Sequence, residues 1–486
     1  MKKISLVQLP YLYARNGKKE NGAVALPTPI LTVASRLHAA GLSHAFFDEN
    51  RKPYSYDNAD VIMLNLHGSP YIPEVIAFER RIREEARRAG KEVSFILGGE
   101  IASRLTREQF FRLFGRDTIN GNDDATLAAA LGKEARGLAS AEKVSLIPVY
   151  ERLGDEELRF YLSRNISFFL AQGCKFSCTF CSAKRTRRDP ETGQLTIQRE
   201  SYKNIGLIEA ELDYLVQRAS TGRLKKLIFY LSNLDLFQTP SALGEFAKCV
   251  LAIRKRYEHF TLDIRGLATV DSFLKLEKIQ PRIIENLVQA GLGRVAFGVD
   301  GITPAVWKKI GKSHNFSGFD EKEKDSKAKM AIRIAKEYGI TTELLMLFGH
   351  NGADTEASMQ YAISFTREMM DAYHAIPRSF IAKDVVPGTE AWYDPKNKAV
   401  VETLIGHPEL FQALDYLAVA SPLTHPDEKF RNQTNRFFFE NAKLAARTKG
   451  DKPLYSTRLR DDRTGVERYY GGFYDELKRL NPAEID

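Results

Sequence analysis

The sequence predicts an α/β protein with an N-terminal doubly wound parallel sheet, then a partial (β/α)6 barrel, then a small C-terminal region. Three observations carry this. Short apolar runs alternate with amphipathic helical stretches along most of the chain, the order that builds parallel sheets with helices on their faces. The alternation breaks over 136–164, which reads as a charged, irregular linker, and then restarts. Six strand–helix steps follow the restart, enough for an open barrel.

In the first domain, 1–135, strands are expected at 4–9, 45–47, 61–66 and 93–97. Helices are expected at 27–40, where Ile30, Val33, Ala34 and Leu37 recur at helical spacing, and at 74–89, stopped by Gly90. Ligands of such sheets sit beyond the carboxyl ends of the strands. In the second domain, 165–395, strands are expected at 166–170, 227–231, 261–265, 294–299, 342–348 and 378–385, with helices such as 205–219 and 327–338 between them. The remainder, 396–486, is aromatic and charged and is expected to serve substrate binding or an accessory role.

With 43% apolar and 27% charged residues, the 486-residue chain has the composition of a globular protein. No run of about 18 apolar residues is present, and residues 1–10 lack a signal peptide's long apolar centre. The expected location is therefore cytoplasmic, with no membrane association. The net charge of +9 is modest and permits an anionic substrate without calling for a nucleic acid. The basic run Lys184, Arg185, Arg187 and Arg188 reads as a solvated loop.

Of four cysteines, Cys174, Cys178 and Cys181 fall within eight residues, and Cys249 stands alone in an amphipathic helical pattern as an inert buried thiol. A disulfide framework would spread its cysteines out. Three thiolates on one short loop can ligate three irons of a cubane, leaving the fourth iron open. Structural zinc normally needs four ligands, and no fourth Cys or His lies nearby in sequence, although a distant His could complete such a site and leave a zinc-stabilised nucleic-acid-binding protein. A ferredoxin-type carrier would also want a fourth cysteine.

The pattern Cys174-x-x-x-Cys178-x-x-Cys181, following a strand and with Phe180 before the third cysteine, resembles the signature of the radical S-adenosylmethionine (SAM) superfamily. The resemblance implies a 4Fe-4S cluster that chelates SAM at its open iron and cleaves it reductively to a 5′-deoxyadenosyl radical. It also places Phe180 on the adenine side, and Ser232, Asn233 or Asp235 at the SAM amino group, although the Gly-Gly-Glu form of that motif is absent. Arg265 would face a carboxylate of SAM or a nearby acid. Gly298 and Asp300 would reach the ribose or substrate, ahead of Lys312. Phe348, Gly349 and Pro387 fall in turns that resemble the family's adenine-contacting turns.

The stretches 26–31, 59–64, 95–100 and 120–127 resemble the Rossmann-like cobalamin-binding domain of one large radical SAM subgroup. That resemblance implies cobalamin contacts at Asn65, His67, Gly98, Gly99, Glu100 and Gly121, with the glycine pair allowing close backbone approach. No Asp-x-His-x-x-Gly motif is present, so no strong protein ligand is expected beneath cobalt unless His67 supplies one. The activity implied is cobalamin-dependent methylation of an unactivated carbon or phosphinate of a small-molecule or natural-product precursor. An external electron donor such as flavodoxin or ferredoxin would be needed. Radical rearrangement or cyclisation without methyl transfer, and a cobalamin-free radical SAM enzyme, stand as alternatives.

Overall fold

The computed structural model describes residues 2–10, 25–66, 68–121, 124–132, 137–198, 200–315, 326–382, 385–411, 420 and 423–445. Runs rich in Val, Ile, Leu and Phe become its strands. The first 120 residues supply β1 (Ile4–Gln8), β2 (Ala25–Leu26), β3 (His44–Asp48), β4 (Val61–Asn65), β5 (Ser94–Gly98) and β6 (Thr118–Asn120). Five of them form one parallel sheet in the order β3-β1-β4-β5-β6. In this order the binding crevice opens at the switch point, beyond the carboxyl ends of β1 and β4. His67, just past β4, lies outside the described residues.

The second series supplies β7 (Asn165–Phe168), β8 (Ala171–Gln172), β9 (Thr186–Arg188), β10 (Leu195–Ile197), β11 (Ser201–Tyr202), β12 (Lys226–Leu231), β13 (Thr261–Ala268), β14 (Leu292–Gly298), β15 (Thr341–Phe348) and β16 (Ile376–Ile381). Strands β7 and β12 to β16 pair in parallel, in sequential order, as an open barrel. Strand β2 leaves the first sheet's neighbourhood and pairs with β7 at the barrel's edge. The pairs β8–β11 and β9–β10 are small antiparallel ribbons.

Strand alternation assigns the two faces of the first sheet. Ile4, Leu6, Val61, Met63 and Ile96 share one core with the helix Thr28–Ala39 and the barrel. Val7, Ile62, Leu64, Phe95 and Leu97 face the helices Ile72–Arg88 and Arg107–Phe114, together with Val385, Trp392, Leu404 and Phe411 from far along the chain.

The structure corrects three expectations. The stretch 136–164 carries helices Ile147–Arg152 and Gly154–Leu162, because Tyr150, Leu158 and Tyr161 hide among its charges and pack into the core. Strand β13 runs to Ala268, so Arg265 lies within it rather than at its end. Strand β16 stops at Ile381, so Val385 to Thr389 form a turn rather than a strand end. Among the described residues no helix is long and apolar enough to cross a membrane.

Candidate active site

The cysteine loop leaves β8 and is held on every side. The Gln238 amide clamps it across Cys174, donating to Gly173 O at 3.0 Å and accepting from Lys175 N at 3.2 Å. Thr179 N donates to Ile310 O at 3.0 Å, and Thr179 O accepts from Glu390 N at 3.1 Å. Backbone N–H groups of Phe176 and Ala183 point at the thiols of Cys174 and Cys181. Burial pushes the Cys174 thiol up to about 11 and that of Cys178 to about 12, and raises Cys181 too. Desolvated thiols of this kind ionise on taking a metal, which releases their protons. Three desolvated thiols within eight residues of one loop are a donor set that fits an iron–sulfur cluster, one thiolate to an iron.

Residues 310–315 form a strap behind this loop. A Cβ on Gly311 would sit 3.1 Å from Ser177 O and 3.5 Å from Cys178 Cα. Buried Lys312 donates to Gly298 O at 2.6 Å and to Asp300 Oδ2. A Cβ on Gly298 would lie 2.7 Å from that ammonium and would displace it. Burial alone would lower Lys312, but the carboxylate of Asp300 and the thiol of Cys178 hold it above the ordinary lysine value. His314 stacks on Phe176 with ring centroids 3.7 Å apart, and burial takes its imidazole down to about 3, so it is neutral. Of this strap, sequence reasoning noticed Lys312 alone; no motif marks Gly311 or His314.

The expected SAM-binding residues divide. Asn233 is buried and its Oδ1 has no hydrogen-bond partner among the described residues, an acceptor suited to the SAM ammonium. Ser232 instead donates to Phe168 O, tying β12 to β7. Both oxygens of Asp235 are taken by Thr269 and Ser272, so it anchors the helix Val270–Ile279. Arg265 finds its acid in Asp263, bidentate at 2.7 and 3.1 Å. Phe180 packs on His350 at 5.2 Å. Phe348 points into the core, and Gly349 is pressed against Thr434 and His425, where a Cβ would come within 2.4 Å of Thr434. That turn docks the helix Glu428–Ala445. Asp300 Oδ1 also lacks a partner among the described residues.

The first sheet meets the same loop. Glu100, just beyond β5, pairs with Arg104 and reaches Arg187 at 3.2 Å. Gly388, next to buried Pro387, packs between the two domains, where a Cβ would come to 2.9 Å from Ser182 and 3.1 Å from Arg104, closer than ordinary van der Waals contact. The basic run is thus not a solvated loop: Lys184 is buried on Glu390, and Arg187 and Arg188 are half-buried and paired. Gly99 and Gly121 allow loops to pack on Asn65, Leu66 and Ile96, rather than on a ligand alone. Asn65, Gly98, Gly99, Glu100 and Gly121 all remain partly exposed at the carboxyl edge. This floor of small and polar groups over a buried sheet suits a flat corrin ring. Cys249, expected to be buried, is half-buried on the helix Pro240–Arg256.

Residues 168–362 match the family model of the radical SAM superfamily. The chain carries a radical SAM domain. With that domain come a 4Fe-4S cluster and SAM as cofactors. The fold is similar to that of the radical SAM methyltransferase TsrM from Kitasatospora setae, solved with cobalamin and a 4Fe-4S cluster (TM-score 0.55, 12% identity, 80% of this chain and 77% of that one). A second TsrM structure, with tryptophan substrate and a SAM analogue, aligns equally well at 13% identity, covering 80% of this chain and 75% of that one. Apo OxsB, a cobalamin-dependent SAM radical enzyme, gives TM-score 0.55 at 15% identity over 85% of this chain, which spans 56% of OxsB. At these identities the likeness is one of fold. No curated protein matches the chain.

Proposed function

We propose that this radical SAM enzyme uses cobalamin to methylate an unactivated carbon, or a phosphinate, of a small molecule or natural-product precursor. The observation that carries this is the meeting of two carboxyl edges. Glu100 beyond β5 is joined to Arg187 beyond the cysteine loop, so a group lying on the first sheet's edge faces the cluster loop. Its fold-mates support the reading: TsrM is a methyltransferase solved with cobalamin, and OxsB is described as cobalamin-dependent.

When bound, cluster and SAM supply a 5′-deoxyadenosyl radical, and cobalamin carries the methyl group. The chain's own residues do the positioning. Cys174, Cys178 and Cys181 hold the cluster, and Gln238 fixes the loop around the first of them. Asn233 accepts from the SAM ammonium, and Phe180, backed by His350, packs on adenine. Asn65, Gly98, Gly99 and Gly121 floor the corrin. Arg265 lies on the β13 face opposite the core, where its pairing with Asp263 fixes the guanidinium in place. An external flavodoxin or ferredoxin would supply the electron. Anaerobic titration of the apo-protein with hydroxocobalamin tests the reading: saturable binding with a spectral change is expected, and its absence would end the cobalamin assignment.

A further inference from the structure

We propose that Lys312 sets the reduction potential of the cluster, its buried ammonium standing behind the Cys178 side of the loop as a fixed positive charge. This rests on the three cysteines holding the cluster, but not on cobalamin. The side chain is about 94% buried and its partner Asp300 about 96% buried. An ion pair so far from water is costly, and apolar residues of similar volume would serve stability as well. What distinguishes this place is its neighbour. The strap that carries Lys312 touches the loop at two points, Ile310 O on Thr179 N and Gly311 on Cys178. Gly298 gives up its side chain to admit the ammonium and offers its carbonyl to hold it.

The pair is also lopsided toward the sulfurs. Lys312 acts on Cys178 and Cys181 more strongly than Asp300 does. Of the pair, the ammonium therefore outweighs the carboxylate at both thiols, while Glu100 opposes it at Cys181. A cluster that gains one electron becomes more negative, and a nearby ammonium favours that state over the oxidised one. No bond forms or breaks in this step: one electron enters the cluster from an outside reductant. SAM cleavage needs that reduced state, so the residue acts through the cluster and is a positioning residue.

The test is anaerobic redox titration of the reconstituted enzyme, without SAM or cobalamin, read by electron paramagnetic resonance. Dithionite and mediators poise the sample at the wild-type midpoint. Lys312→Met is expected to lower the reduced-to-oxidised ratio about tenfold, equivalent to 59 mV for one electron. Asp300→Asn, which removes the counter-charge, is expected to raise it, and Lys312→Arg to leave it within about twofold, since the charge is kept. Iron and sulfide content must equal wild type for a value to count. A Lys312→Met ratio within twofold of wild type, or shifts of one sign in both variants, would overturn the proposal. If Lys312→Met cannot hold the cluster, Asp300→Asn decides alone: no rise in the ratio overturns it.

Discussion

Glu100 and Arg187 face each other at 3.2 Å, one beyond the first sheet and the other beyond the cysteine loop. Glu100 also holds Arg104, whose side chain is 5% exposed. Removing Glu100 leaves Arg104 in a nearly dry junction without its carboxylate. Glu100→Ala should therefore cost about 2–3 kcal/mol. Arg187→Ala should cost nearer 1 kcal/mol, because this pair is partly solvated. Thermal melts of the two variants check the order: a Glu100→Ala protein that melts with wild type would remove the junction role.

Replacing Cys174, Cys178 or Cys181 with Ala should abolish cluster assembly and the release of 5′-deoxyadenosine. Cys249→Ala should leave both unchanged, since its thiol is half-buried on a helix away from the loop. Iron analysis and chromatography of the nucleoside product read this directly. Full SAM cleavage by a Cys178→Ala protein would refute the ligand assignment.

Gln238 makes two hydrogen bonds to backbone on either side of Cys174. Two such bonds are worth about 1–3 kcal/mol together. Gln238→Ala should thus release iron to a chelator on the order of tenfold faster, with the fold intact by circular dichroism. An unchanged release rate would show that the loop is held well enough by its other contacts.

Glu79 gives a pH dependence remote from the cluster. Burial raises its carboxyl to about 7, against the opposing pull of Arg83 and a hydrogen bond from Thr118. The folded chain keeps this proton where the unfolded chain, near 4.5, has released it. Its contribution to stability is therefore complete below that lower value and is lost as pH rises toward 7, by on the order of 3 kcal/mol. Glu79→Gln should remove this loss. Urea midpoints of apo-protein at pH 5.5 and 7.5 should fall for wild type relative to the variant, and parallel midpoints would contradict the assignment.

Much of the frame is legible in the sequence because parallel strands buried on both faces write themselves as apolar runs. The three-cysteine spacing is equally plain. Other features depend on partners far along the chain. The run 184–188 reads as solvated, yet Lys184 is buried by Glu390 and Arg187 by Glu100, and neither partner is near in sequence. Phe348 and Gly349 look like a ligand turn, but a helix 80 residues on, at Thr434, claims the space above the glycine. Asp235 resembles a ligand until the Thr269 and Ser272 hydroxyls are seen on it. The helices within 136–164 escape notice because their buried residues, Tyr150 and Tyr161, are few among many charges.

Strand β2 pairs with β7 across about 140 residues of chain, Ala25 with Asn165 and Leu26 with Ile166. During synthesis this segment cannot find its seat until the start of the barrel has left the ribosome. The face of the first sheet that packs on Trp392 and Leu404 must wait longer still. The amino-terminal half therefore cannot finish folding on its own, as a free-standing domain would. A fragment cut near residue 135 would keep its own helices but lose part of the apolar cover on each face of its sheet, and the two halves are better regarded as a single folding unit.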